Sequence, residues 1–325
     1  MGAVGRTGGM VLAVLGAAAG AVYQAAPAVA ATPTLSSQVA YVRSGNVYVS
    51  KGATEKRLTT GGGYSRPSWS RDGRQLAVLK GGQVWVMKAD GTAKRRLSTR
   101  PAAGASWSPD GRWIAFASAS CTGGPGVYRI STTARAATPQ VLFPSECRGE
   151  ALPDATAPAA PATGTLAERL RYDNAVAWSP DGGRIVFRGG LCESIYDDCL
   201  TIGTVSTGAE RTVAAYGGGS LQNSGFAVLP GWRPDGTKLA WTAYQQGETT
   251  ADNQPVHVVE FDPATGVKRT LGAPEDRELA YVDANRAVVT GQYRGGSWVL
   301  TLDLRTGARA AFHAGSQPSV QPVAR

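Results

Sequence analysis

Four aspartates recur in one setting. Asp72, Asp110, Asp181 and Asp235 each stand three residues after a tryptophan and immediately before a glycine. A carboxylate held at a fixed place is a candidate general acid, general base or hard-metal ligand. The neighbours point to geometry instead. Three of the four follow a proline (Pro109, Pro180, Pro234), which presets the φ needed at the second position of a type I turn. The glycine then accepts the left-handed conformation that closes a three-residue hairpin with a G1 bulge. A carboxylate used again at the same turn in four repeats reads as a turn residue bonding local amides. Other chemistry-bearing residues are few: two histidines, His257 and His313, and four cysteines, Cys121, Cys147, Cys192 and Cys199.

The elements around these turns have one grammar. A short apolar run leads into Trp, the turn follows, and then an alternating apolar run such as Trp113-Ile114-Ala115-Phe116. With the turn as a ruler, residues 66–98 read as four strands at 67–70, 75–80, 83–88 and 94–98. The next units read as 105–108, 113–118, 126–131 and 140–143, then 175–179, 184–188, 200–206 and 211–214, then 228–232, 238–244, 256–261 and 268–271. A degraded unit follows at 279–282, 286–290, 298–303 and 308–312, with Tyr281 at the Trp position and Asn285 at the Gly position. The first unit has only three strands, 38–42, 46–50 and 56–59. Its missing innermost strand lies at the other end of the chain, because Gln317-Pro318-Ser319-Val320-Gln321-Pro322 mirrors Arg66-Pro67-Ser68-Trp69-Ser70-Arg71. The fold class is therefore all-β: a six-bladed β-propeller, four antiparallel strands per blade, closed by a C-terminal strand joining the N-terminal blade. In the third strands Tyr48, Trp85, Tyr128, His257 and Trp298 fall at equivalent positions, which suits packing between blades. His313 falls at the end of a fourth strand.

Residues 1–31 read as a secretory signal peptide. Arg6 precedes an Ala/Leu/Val/Gly run shorter than the roughly 20 residues a bilayer needs, and Ala28-Val29-Ala30 offers a cleavage site. Residues 32–325 then form one propeller domain, with an irregular Ala/Pro-rich insertion at about 144–173. The net charge of +9 favours an anionic partner. Basic residues are scattered, which argues against nucleic acid. We expect a secreted, extracytoplasmic monomer without stable membrane insertion once the signal is removed.

The Trp-Ser-Pro-Asp-Gly turn, the apolar second strand, a third strand ending in Asp-Gly and a fourth ending in Leu-Thr or Leu-Ser resemble the PD40, or WD40-like, repeat. That repeat builds the six-bladed propeller of TolB-like proteins, and the resemblance covers residues 36–325. It implies the fold strongly and a binding or scaffolding role more weakly, since PD40 propellers serve many functions. The N-terminal α/β domain of TolB is not matched here, so a role in that system does not carry over.

Loop lengths separate the two faces. Turns between first and second strands, and between third and fourth, are tight and share one face. The other face carries the long connections, including 118–125, 144–174, 189–199, 216–227 and 245–254, which makes it the expected functional face. All four cysteines map there, consistent with two disulfides in an oxidising compartment. Of three connectivities, Cys192–Cys199 with Cys121–Cys147 is favoured. Within the insertion, 166–170 reads as one helical turn, and the segment is either solvated or a lid over the channel. Candidate ligand-binding residues are Tyr64, Arg66, Arg171, Tyr172, Asn174, Asn223, Gln246, Arg277, Tyr293 and Arg294, with Asp173 beside them. Glu193, Asp197 and Asp198 are the available oxygen ligands for a metal.

These features fit a non-catalytic binding or scaffold propeller that takes a protein or an anionic cell-envelope polymer on its loop face and needs no cofactor. The alternative is a metal-dependent lyase- or lactonase-like enzyme acting in the channel. A propeller-type peptidase would need a G-x-S-x-G elbow, which this sequence lacks.

Overall fold

The computed structural model describes residues 1–2, 31–134, 137–151, 163–192, 197–217 and 224–322. The chain separates into two compact units, Met1–Ala31 and Thr32–Arg325. The expected signal segment falls, except at its ends, outside the described residues. In the second unit six four-stranded antiparallel sheets follow one another, each built from consecutive strands except the first. There the last strand of the chain, Ser316–Val320, pairs with Val39–Arg43 through Val39 with Val320 and Ala40 with Ser319. The innermost strands of blades 1 to 6 are thus Ser316–Val320, Tyr64–Trp69, Ala103–Trp107, Val176–Trp178, Ser224–Trp232 and Arg277–Tyr281.

The repeated turn is as its residue types require. Gly73, Gly111, Gly182 and Gly236 have φ of 66°, 70°, 77° and 75°, the left-handed region where a Cβ would clash. Asp110 Oδ1 accepts from Arg112 N at 3.0 Å and from Ser108 Oγ at 2.5 Å, and Ser108 Oγ in turn accepts from Trp113 N at 3.0 Å. Asp72 and Asp181 repeat the pattern with Ser70 and Ser179. In blade 5 Arg233 replaces the serine, and Asp235 accepts from Arg233 Nε at 3.0 Å and Thr237 N at 2.9 Å. Partial burial alone would raise the Asp235 carboxyl, but those donors hold it at about 2.

The tryptophans face sideways. Trp69 Nε1 donates to Ser319 O at 3.2 Å, Trp107 Nε1 to Ser68 O at 3.1 Å, and Trp232 Nε1 to Ala177 O at 3.2 Å. Each indole therefore ties its blade to the inner strand of the preceding one. Blade 4 differs: Trp178 Nε1 bonds Gly182 O in its own turn, while its backbone N–H reaches Ser106 Oγ of blade 3. Tyr281, at the Trp position of blade 6, donates to Glu260 Oε1 of blade 5 at 2.9 Å.

Apolar side chains fill every seam. Between blades 2 and 3, for instance, Leu79, Val84 and Val86 meet Ile114, Phe116 and Tyr128. The third-strand aromatics Tyr48, Trp85, Tyr128 and Trp298 all pack toward the preceding blade. His257 is buried and its Nδ1 lies 2.7 Å from Pro255 O.

Replacing Trp107 by Phe keeps an aromatic in the seam but leaves the Ser68 carbonyl without its donor. The expected loss is about 1–3 kcal/mol of unfolding free energy. Denaturant unfolding measures it, and hydrogen exchange should rise in blades 2 and 3 together.

Candidate functional site

Five of the six inner strands carry a residue in the left-handed region three places before the Trp position: Arg66 (φ 49°), Gly104 (67°), Leu229 (58°), Glu278 (58°) and Gln317 (59°). Ala175 holds the equivalent place in blade 4. At each of the five the pairing register shifts, as in a β-bulge. A non-glycine residue with positive φ is strained, and strain repeated at one level around an axis marks a built feature.

Three of these residues converge. Arg66 donates through Nη2 to Glu278 Oε1 at 3.0 Å, joining blade 2 to blade 6. Gln317 Oε1 accepts from Arg66 N at 2.8 Å, and Gln317 N donates to Glu278 Oε2 at 2.8 Å. Thr290 Oγ1 donates to the same Glu278 oxygen at 2.5 Å. Glu278 is 7% exposed and Arg66 9%. Burial would raise the Glu278 carboxyl, yet Arg66, Arg277, Thr290 and Gln317 hold it below the usual range. Burial likewise opposes the Arg66 charge, and Asp173 with Glu278 overcomes that and raises its pKa.

Asp173 comes from the insertion. It engages Arg66 side-on, Nε to Oδ1 at 2.8 Å and Nη2 to Oδ2. Just before it, α1 (Leu166–Leu170) begins with a capping box: Glu168 N donates to Thr165 Oγ1 at 3.2 Å and Thr165 N to Glu168 Oε2 at 2.7 Å. Leu170 is buried against Phe226, Val228, Leu229 and Val256 of blade 5. Blades 2 and 5 stand opposite each other in a ring of six. The segment from α1 to Asp173 therefore straps the channel at its loop end, which is the lid arrangement among the two readings of the insertion.

On the other side of this plug lies a cavity of about 680 Å³, within the range of ligand sites. Its lining runs from the residue three places before the Trp position to the turn in every blade, so it opens on the face of the Pro-Asp-Gly turns. The residues just before the Trp position are Ser68, Ser106, Ala177, Gly231, Ala280 and Ser319. Small side chains there let six strands converge and still leave space. Pro109, Pro180, Pro234 and Pro322 lie toward the mouth, with Arg71 and Asp283 at the two remaining positions. Loop length points to the opposite face, where the described end of the insertion, 165–173, crosses the channel.

The other candidate residues are dispersed. Tyr64 is buried in the seam of blades 1 and 2, with Lys80 Nζ 5.0 Å above its ring. Arg277 is 5% exposed and donates to Glu275 O at 3.1 Å and Ser297 Oγ at 2.9 Å. Arg171 is exposed, 3.9 Å from Asp198, and Asn174 Oδ1 accepts from the adjacent Ala175 N. Tyr172 is exposed, as is Tyr293, which meets Trp298 edge-on and carries Arg294 5.1 Å above its ring. Gln246 accepts from Tyr244 OH at 3.1 Å. Asp198 is paired with Arg188, and Asp197 Oδ1 is buried without a partner among the described residues. Asn223 and Glu193 lie outside the described residues. Among the described residues no group of three or more His, Cys, Asp or Glu could hold a metal ion. Cys121 bonds Cys147 and Cys192 bonds Cys199.

The structure thus brings together Arg66 and Asp173 with Glu278, Thr290 and Gln317, which sequence reasoning did not single out as site residues. The signal for Glu278 and Gln317 was present in the repeat register, since both occupy the Arg66 position of their blades.

Among solved structures, the chain is similar to TolB from Acinetobacter baumannii, with 14% identity and a TM-score of 0.64 over 90% of this chain and 68% of that one. It is also similar to the putative TolB from Agrobacterium tumefaciens, with 14% identity and a TM-score of 0.58 over 86% of this chain and 90% of that one. At these identities the likeness is one of fold: the chain is a TolB-like six-bladed propeller. No protein-family model and no curated protein matches it.

Arg66→Ala leaves Glu278 charged, buried and unpaired, with an expected cost of about 3–5 kcal/mol by chemical denaturation. Because the folded Glu278 pKa is depressed, its contribution is present above the usual carboxyl range of about 4.3 and is lost as pH falls through the folded value. Glu278→Gln should therefore be less stable than the parent at neutral pH and show a shallower loss of stability as the pH falls below about 4.3.

Proposed function

We propose that this protein is a non-catalytic binding propeller that receives part of an extracytoplasmic partner, a protein or an anionic cell-envelope polymer, in the recess on its turn face. The observation that carries the reading is the cavity of about 680 Å³, closed at its inner end by the Arg66–Glu278–Asp173 network. The polar groups of that network serve one another, a stable plug rather than a set of groups poised to transform a substrate. Loop length favours the other face for binding. We weigh against that face that the insertion straps the channel there and that the Cys121–Cys147 and Cys192–Cys199 bridges tie the neighbouring connections.

Two disulfides fit an oxidising compartment outside the cytoplasm, and among the described residues no helix is long and apolar enough to cross a membrane. The net charge of +9 supports an anionic partner through long-range attraction. We take the working unit to be a monomer, acting without a cofactor and without nucleic acid.

Ser68→Trp places a large side chain in the recess on a strand whose Ser68 side chain makes no hydrogen bond among the described residues. The variant should unfold within about 2 kcal/mol of the parent, an overpacking cost, and should no longer retain the proteins or polymers that the parent captures from envelope and culture-fluid fractions. An unchanged captured set would remove the recess from the function. Alanine replacement of Tyr172, Tyr293 and Arg294 on the loop face should leave capture unchanged.

A further inference from the structure

Basic residues that are scattered along the sequence are not scattered around the ring. Blades 1 to 3 draw their charged residues from 32–143, which hold 16 Lys and Arg against 4 Asp and Glu, whereas 144–325 hold 16 against 20. One half of the propeller is strongly cationic and the other slightly acidic, a polarity that the overall charge of +9 conceals. The halves also differ in how they use their cations. On the turn face of blades 4 to 6 they are paired: Arg184 with Asp181, Arg233 with Asp235, Lys238 with Asp262 and Arg286 with Asp283. In blade 2 the turn carboxylate Asp72 accepts from Ser70 Oγ and Arg74 N instead. Arg71, Arg74, Lys88 and Lys94 are exposed, and among the described residues none of them is in an ion pair.

These four cations form a track. Arg71 stands at the mouth of the recess, and Arg74 follows in the same turn. Arg74 O accepts from Ala89 N at 2.8 Å, which sets it beside Lys88 at the end of the third strand, Gln83–Lys88. Lys94 Nζ donates to Gly91 O in the turn after that strand. The track thus crosses blade 2 from its innermost to its outermost strand, about 15 Å at the usual strand spacing. It reaches blade 1 at the rim, since a Cβ on Gly91 would stand 2.6 Å from Leu58 O, two residues after exposed Lys56. Thr92 first, and then Lys88 and Lys56, hold the exposed Asp90 carboxyl of that turn below its usual range, so both lysines surround it.

Unpaired like charges in a row repel one another and weaken the compact state. A linear polyanion laid along the row relieves that repulsion and sheds its own condensed counterions. On so open a surface a small anion meets one cation, and a single exposed pair contributes little; a chain of anions meets all of them at once. We propose that the turn face of blade 2 binds a linear anionic polymer of the cell envelope, laid from the rim to the mouth of the recess. The inference rests on the turn face being the binding face, and it selects the polymer over the protein as partner.

The test titrates labelled polyphosphate and polygalacturonate against the full chain and follows fluorescence anisotropy at low and physiological salt. The two polymers separate phosphate from carboxylate chemistry; at least one should bind, and more weakly as salt rises. Arg71→Gln, Arg74→Gln and Lys88→Gln combined should weaken that binding by about tenfold or more and flatten its salt dependence. Arg211→Gln, Lys268→Gln and Arg305→Gln combined remove the same charge from blades 4 to 6 and should change affinity by less than about twofold. An unfolding midpoint shared with the parent shows that both variants fold. Equal weakening by the two sets, no binding of either polymer at physiological salt, or tighter binding of single-stranded DNA than of both polymers would each overturn the proposal. The two readings of the turn face fail separately. Unchanged polymer binding in the blade 2 variant, with capture lost in Ser68→Trp, would remove the track and keep the recess; the opposite pair of results would remove the recess and keep the track.

Discussion

Three seams of this fold are set by one sideways hydrogen bond, from the indole of a tryptophan to a carbonyl of the preceding inner strand. The bond contributes only about 1 kcal/mol net to folding, but it sets how neighbouring blades meet at the ring's tightest radius. An indole there needs an acceptor on the preceding blade, and for Trp69 the preceding blade has no inner strand of its own until the chain returns. Ser319 O supplies it. The C-terminal strand is thus required by the first tryptophan as much as by the open sheet edge of Val39–Arg43, and Gln321 adds a third attachment by donating to Gly73 O at 2.8 Å.

A second constraint follows from the first. Drawing six strands together at the positions of Trp69, Trp107, Trp178, Trp232, Tyr281 and Val320 forces the residues just before them toward the axis, where only Ser, Ala and Gly stand. At the next level outward along the strand the backbone bulges, and residues as large as Arg66, Leu229 and Glu278 are held with positive φ. The bulge turns their side chains into the space that the small residues leave. In that low-dielectric setting an isolated charge would be intolerable, so Arg66 arrives with Glu278 from across the channel and Asp173 from the strap.

The parts of the structure legible in the sequence are those encoded by local residue types. Pro-Asp-Gly specifies a turn through φ preferences alone, and counting turns gives the blades. The likeness of 317–322 to 66–71 gives the closure. Cysteines seven residues apart, 192 and 199, fit a local loop closure. The bulge was less visible because nothing in the propensity of Arg, Leu or Glu announces positive φ. A partial cue existed in Arg66-Pro67, Leu229-Pro230 and Gln317-Pro318, since proline in a strand tends to sit at a bulge and the residue before it avoids the α region. The face on which the recess opens was not legible from loop lengths, because length reports which side can reach across the axis and not whether the crossing segment leaves the channel open.

The strap shows why that distinction is physical. A helix of five residues has no independent stability in water, and the Ala/Pro/Thr composition before it offers little apolar surface. Its capping box contributes on the order of 1 kcal/mol. Its order therefore derives from two attachments, Leu170 in the apolar patch of blade 5 and Asp173 on Arg66. The first is insensitive to what enters the recess; the second shares its cation with the recess floor. The strap is therefore held at one end by apolar packing and at the other by a single ion pair.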